Sequence, residues 1–232
     1  MTLDAATRLT EVLLALALLQ QSAEHLRRFR DERLLFAGRI VLCLLVVLGF
    51  GAPWPLLGLA LLSLVLLRRF QGPYNGGADR MGLLALWCVT LCRFLPSEPA
   101  REIAFGYLGV QLILSYFIAG GVKILNPDWR GGRALRQVFA FSAYPASEAV
   151  RGWAERPGVL LAMSWAVMLF ELGFPLTLAS RPSLAVGLAV AALFHLMNAG
   201  LFGLNRFFWT WLAVYPALLW LQGRLLEGAP SF

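Results

Sequence analysis

The stretch Glu102–Leu125 reads EIAFGYLGVQLILSYFIAGGVKIL and is apolar almost from end to end. A helix needs about 20 such residues to cross the hydrocarbon core of a bilayer. The rest of the chain is similar, because 59% of its 232 residues are hydrophobic, 14% are charged, and the mean hydropathy is +0.69. Soluble domains average about 45–50% apolar and about 25% charged residues. The sequence therefore predicts an all-α polytopic membrane protein, built as a bundle of transmembrane helices.

Apolar segments recur along the chain and predict about seven or eight spans in one transmembrane domain over residues 1–232. The predicted spans are about 8–26, 37–51, 54–69, 81–96, 102–125, 158–179, 183–203 and 206–222. The first is the most polar of them and is also compatible with an interfacial helix. The polar loop 126–157 is the longest stretch between spans, and we expect a short surface helix near 134–141.

The charge of the chain is distributed as in membrane proteins. Its net charge of +7 comes from arginines clustered between apolar segments, mostly in the links after the first, third, fifth and seventh spans. The positive-inside rule then places the 126–157 loop in the cytoplasm and both termini outside. Basic loops near anionic headgroups explain this charge without nucleic acid. The three cysteines lie in apolar segments and are expected to be apolar filler rather than disulfides.

Lys123 is the one lysine beside nineteen arginines, and it stands near the end of its span. A lysine there can extend its ammonium group to the headgroups. Arginine would do the same, but only a lysine can lose its proton and act as a base. Gly120 and Gly121 precede it and would let another helix or a flat ligand approach closely. Lys123 is thus either an interfacial anchor or a candidate base.

Three further polar residues lie inside predicted spans. His195 and Asn198 share one helix face at i,i+3 spacing, and Glu171 lies in the preceding span, which is expected to be an antiparallel neighbour. Such residues form either an interhelical polar clamp or a functional site. A cavity shared by Lys123, Glu171 and His195 is geometrically possible. No metal is expected, since the two histidines are far apart in sequence.

These residues carry a resemblance to a known family. The run from Gln111 through Tyr116-Phe117-Ile118-Ala119-Gly120 to Lys123 and Asp128-Trp129 resembles the membrane domain of vitamin K-dependent γ-glutamyl carboxylase, of the horizontally transferred transmembrane (HTTM) family. Phe194-His195-x-Met197-Asn198-x-x-Leu201-Phe202 is similar to a late helix of that family, and Glu171 falls at an acidic position. Asn75 and Gly82-Leu83-Leu84-Ala85 resemble a further conserved stretch of the family.

The resemblance implies a fold and a chemistry. In the carboxylase, a lysine is taken to deprotonate reduced vitamin K, which oxygen then converts to a base strong enough to allow CO2 addition to glutamate. Carried over, Lys123 and His195 would be catalytic, and Gly120, Gly121, Glu171 and Asn198 would line the cofactor cavity. The implied cofactor is a reduced quinone of the vitamin K type. The implied partners are membrane lipids and a peptide or protein substrate, in a bacterial inner (plasma) membrane.

The resemblance leaves the reaction open. Counting from Tyr116 puts Lys123 at the catalytic position, whereas counting back from Trp129 puts Ile124 there. Gly77 stands where the family has a catalytic histidine. The family's active site faces the lumen, while the arginine distribution places the Lys123 end in the cytoplasm. These departures argue against glutamate carboxylation itself. Two other functions remain: a non-catalytic membrane partner in peptide processing or export, and a small transporter.

Overall fold

A computed structural model describes residues 1–28, 30–69, 76–142 and 147–228. All regular structure in these residues is helical, which confirms the predicted all-α class. Three 3-10 segments, at Arg30–Glu32, Gly152–Glu155 and Phe174–Ala179, accompany the α-helices. The α-helices of the described residues are α1 Leu3–Arg28, α2 Arg33–Leu48, α3 Trp54–Arg69, α4 Gly76–Phe94, α5 Glu98–Leu125, α6 Pro127–Arg130, α7 Arg133–Phe141, α8 Glu148–Arg151, α9 Pro157–Gly173, α10 Arg181–Phe202 and α11 Asn205–Glu227.

Each predicted span coincides with a helix, but only some helices have the length and hydropathy of a membrane span. Three qualify among the described residues: Glu98–Leu125, Pro157–Ala179 and Arg181–Phe202, with hydropathies of 1.7, 1.8 and 1.9. Trp54–Arg68 is apolar but shorter. The count of seven or eight crossings therefore stays a prediction.

The chain divides into two compact units, one formed by Met1–Val110 with Arg206–Phe232 and the other by Gln111–Asn205. We call them the outer-segment unit and the central unit, after their positions in the sequence. The prediction of one transmembrane domain over residues 1–232 is not tested by this division.

A buried carboxylate joins three helices of the outer-segment unit. Glu11 on α1 is 1% exposed, and its oxygens accept hydrogen bonds from Arg93 Nε and Nη2 on α4 at 2.6 and 2.9 Å. Arg8, 3.3 Å from the same carboxylate, also donates to the carbonyls of Val46 and Val47 at the end of α2, at 2.8 and 2.9 Å. Carbonyls in the last turn of a helix run out of helical partners, and the Val46 carbonyl also accepts the amide of the C-cap residue Gly49 at 3.1 Å. The cluster therefore satisfies a buried charge and a helix end together.

The predicted surface helix at 134–141 is α7, and it is amphipathic. Its buried residues Leu135 and Phe139 pack with Leu160 of α9 and Phe202 of α10 in the core of the central unit. The backbone reaches this packing through Gly132, whose φ of 74° is readily adopted by glycine. A Cβ atom there would also lie only 3.1 Å from the backbone nitrogen of Leu161. The polar loop is thus anchored to the helices that flank it.

We predict that Glu11→Ala lowers the unfolding free energy by about 2 kcal/mol or more, because it leaves Arg8 and Arg93 without their buried counter-charge. The measurement is thermal unfolding of the detergent-solubilised protein. Glu155→Ala is the matched control, since Glu155 is exposed, and it should change stability by less than about 0.5 kcal/mol. Equal effects of the two substitutions would contradict a structural role for the Glu11 cluster.

Candidate functional site

Lys123 of α5 and Glu171 of α9 form a close ion pair inside the central unit. The Lys123 ammonium lies 2.6 and 2.5 Å from the two oxygens of the Glu171 carboxylate. The Lys123 side chain keeps 19% of its exposure and that of Glu171 keeps 5%. Both residues belong to helices apolar enough to cross a membrane. In such surroundings each charge is expensive by itself, and pairing offsets much of that cost.

Gly120 explains why the two helices can approach closely enough for this pair. A Cβ atom at position 120 would lie 2.7 Å from the backbone nitrogen of Leu172 and 3.0 Å from Cβ of Glu171. Only a residue without a side chain allows this contact, as at other close helix crossings in membranes. The neighbouring Gly121 is different, because no atom lies within 4 Å of its ideal Cβ position. One glycine therefore serves helix approach, and the other borders open space.

Trp129 lies on the other side of the lysine. The Lys123 ammonium is 5.3 Å from the centre of the Trp129 ring, within the range of a cation–π interaction. The turn before α6 positions this ring, because the side chain of Asn126 caps the helix by accepting a hydrogen bond from the Asp128 amide at 2.9 Å. Ser164 of α9 donates to the Trp129 carbonyl at 2.6 Å and ties the turn to the bundle.

A second polar pair joins α5 to α10. The Tyr116 hydroxyl and Nε2 of His195 are 2.8 Å apart and share a hydrogen bond. Both residues are buried, at 3% and 4% exposure. Rings of Phe170, Phe174 and Phe194 surround the pair. Tyr116 precedes Lys123 by two helical turns, so the two polar pairs lie on one face of α5 and about 10 Å apart along its axis.

The structure thus divides the predicted site residues between two separate polar pairs. Glu171 pairs with Lys123 rather than with His195, and His195 pairs with Tyr116. Asn198 is half-buried and donates to the carbonyl of Phe194 within its own helix, at 3.0 Å. The site roles of these residues stay predictions.

The sequence pointed to Tyr116 only as part of the family resemblance, and Tyr116 was not predicted to be a site residue. Its seven-residue distance from Lys123, which puts both on one helix face, was the available signal.

The structure describes only one of the two early positions compared with the family, Asn75 and Gly77. Asn75 lies outside the described residues. Gly77, at the position of the family histidine, lies in the first turn of α4 in the outer-segment unit, and its ideal Cβ would be 3.0 Å from the Phe207 ring. A side chain as large as histidine would therefore require the Phe207 ring to move.

Comparison with known protein families is decisive at the level of the family. The profile described as the HTTM domain matches residues 100–221, more than half of the 232-residue chain. The chain belongs to the HTTM family. No curated protein and no solved structure matches it. Together with the three apolar helices, the family places this HTTM protein among integral membrane proteins. The matched region contains Lys123, Glu171, Tyr116 and His195.

The two adjacent glycines provide a matched test of the HTTM site geometry. We predict that Gly120→Ala lowers the unfolding free energy by about 1–3 kcal/mol, because the new methyl group would overlap the backbone of α9. Gly121→Ala should leave stability unchanged or raise it by up to about 1 kcal/mol, because alanine favours the helix and meets open space. Thermal unfolding in detergent measures both variants. Equal destabilisation by both would contradict the close approach at Gly120.

Proposed function

We propose that this HTTM protein is a membrane enzyme whose central unit binds a quinone or a similar lipid in an intramembrane cavity, with Lys123 as the base. The observation that carries the proposal is the ion pair of Lys123 with Glu171, which places the chain's one lysine against a buried carboxylate in two apolar helices. A residue with purely interfacial anchoring would turn its ammonium group to water instead.

The pair supplies a route for a proton. In the ion-paired state Lys123 carries the proton and cannot act as a base. Transfer of one proton from Nζ to a Glu171 oxygen leaves a neutral amine beside a neutral carboxylic acid, and contacts of 2.5 and 2.6 Å are short enough for that transfer. Burial reduces the advantage of the charged form over the neutral one. The amine can then accept a proton from an acidic hydroxyl of the ligand.

The surroundings fit a flat ligand with a polar edge. The space beside Gly121 is open, and the indole of Trp129 lies next to the lysine. Further along α5, Tyr116 and His195 form a second polar point among aromatic rings. In this proposal Lys123 moves the proton, and the Tyr116–His195 pair, with Asn198 on the same face as His195, orients the ligand.

A reduced quinone of the vitamin K type is the ligand that the family resemblance suggests, and its hydroquinone hydroxyl would supply the acidic proton. We place the protein in a bacterial inner membrane and leave glutamate carboxylation out of the proposal, since Gly77 stands at the position of the family histidine. When bound, a hydroquinone would supply an acidic hydroxyl whose proton the neutral Lys123 amine accepts to become an ammonium, and molecular oxygen would be the oxidant that takes up the hydroquinone's electrons. We also propose a peptide or protein substrate for this enzyme, and neither experiment below requires that substrate.

The first test of the proposal is native mass spectrometry of the purified protein, with the released lipids identified. We expect one quinone per wild-type chain, and loss of that quinone in Lys123→Met. Arg133→Met is the matched control, because Arg133 is an exposed cation in the same unit, and its bound quinone should be retained. Lys123→Met leaves the buried Glu171 carboxylate without its counter-charge and could therefore prevent folding. The double variant Lys123→Met with Glu171→Gln removes both charges, so loss of quinone from this folded variant reports loss of binding.

The second test is oxygen-dependent consumption of an added reduced vitamin K-type quinone. Lys123→Arg keeps the positive charge but cannot supply a neutral amine, so it should lower the rate at least about 100-fold, as expected when a general base is removed. Absence of quinone from the wild type, together with equal rates for wild type and Lys123→Arg, would overturn the proposal. A stable co-purifying protein with that result would favour the non-catalytic partner.

A further inference from the structure

The outer-segment unit contains a cavity with charged side chains in a largely apolar lining, and the proposed enzyme site does not use it. It has an accessible volume of about 40 Å³ among α1, α2, α3, α4 and α11. A single water needs about 10–15 Å³ on this scale, so the cavity admits a group of a few heavy atoms. The polar side chains that carry the argument are Gln21, His25, Arg39, Ser63, Asp79 and Arg206.

Arg39 is the most unusual member of this lining. The residue is only 5% exposed, although it is charged and lies in the middle of α2. Its Nη2 donates to the Gln21 side-chain oxygen at 3.0 Å. Its Nε, like the hydroxyl of Ser63 in the same lining, has no hydrogen-bond partner among the described residues. A buried N–H donor of a guanidinium group normally has a hydrogen-bond acceptor. No such acceptor lies beside the Arg39 Nε among the described residues.

The lining also has more positive than negative charge. Arg39 and Arg206 face it with a single carboxylate, Asp79, whose oxygen is 3.7 Å from Arg206. His25 also lines the cavity, where its Nδ1 lies 2.9 Å from the Gln21 carbonyl and its Nε2 accepts a hydrogen bond from Arg206. The negative charge of Glu24, which lies outside the lining, also attracts the Arg206 guanidinium group. The described part of the lining therefore holds two guanidinium groups and one carboxylate.

We infer that this cavity binds a phosphate-type oxyanion between Arg39 and Arg206. Guanidinium groups match phosphate oxygens with parallel N–H donors, and the Ser63 hydroxyl supplies one more. The side chains of Arg206 and Asp79 keep 17% and 22% of their exposure, so the cavity has an accessible rim. The residues at the rim belong to the arginine-rich links predicted to face the cytoplasm, where lipid phosphates are the abundant oxyanions.

The test uses delipidated protein in neutral detergent and native mass spectrometry. One arm titrates phosphatidylglycerol against phosphatidylcholine, and a second arm adds inorganic phosphate. We expect one phosphatidylglycerol per chain in preference to phosphatidylcholine. Arg206→Gln should weaken this binding about tenfold, as for a lost charged hydrogen bond. Arg80→Gln is the matched control, because Arg80 is exposed on α4 next to Asp79 and outside the lining, and it should leave binding within about twofold.

Asp79→Asn makes the inference falsifiable even where a buried arginine variant fails to fold. It removes the negative charge from the lining and should tighten oxyanion binding, whereas loss of a merely structural ion pair would not. Displacement of the lipid by inorganic phosphate would identify the phosphate group itself as the recognised part. Binding of phosphatidylglycerol without such displacement would identify the lipid as the source. Equal weakening by Arg206→Gln and Arg80→Gln, or no tightening by Asp79→Asn, would overturn the inference.

Discussion

The ion pair between Lys123 and Glu171 constrains how α5 and α9 meet in the central unit. A lone charge in such apolar helices costs several kcal/mol, so α5 and α9 are most stable where the two charges meet. Gly120 makes that approach possible because a side chain at this position would overlap the backbone of Leu172. The same rotation of α5 turns Tyr116 toward His195. The two polar pairs therefore lie on a single face of α5.

Buried charges in the outer-segment unit also need partners, and other residues supply them. Glu11 is met by two arginines, and the second function of Arg8 is to satisfy the carbonyls at the end of α2. Arg39 differs from Arg8 in lying beside a cavity with its Nε unpartnered among the described residues. Both oxygens of Glu11 are hydrogen-bonded, whereas the Nε of Arg39 has no acceptor among the described residues. This contrast separates the Glu11 cluster from the Arg39 cavity.

The sequence predicted the helices well because apolar runs and turn residues are local properties. The span predicted at 54–69 is α3, and the surface helix predicted at 134–141 begins and ends within one residue of α7. The number of membrane crossings was harder to predict from the sequence. α1 and α11 are long, yet polar residues such as Gln20, Gln21 and Arg224 lower their hydropathy, and neither qualifies as a span. Whether such a helix crosses a bilayer depends on what covers its polar face.

By itself, the sequence determined the all-α class, the family and the short set of polar residues available for a site. Composition, periodicity and motif spacing are properties of the sequence and need no tertiary structure. Only the tertiary structure decided which of those residues meet. Glu171 could face His195 or Lys123 from its position in the sequence, and the choice depends on how α9 is rotated and how closely α5 approaches it. Rotation and approach result from many side chains packing at once, with Gly120 as the contact that permits the observed one.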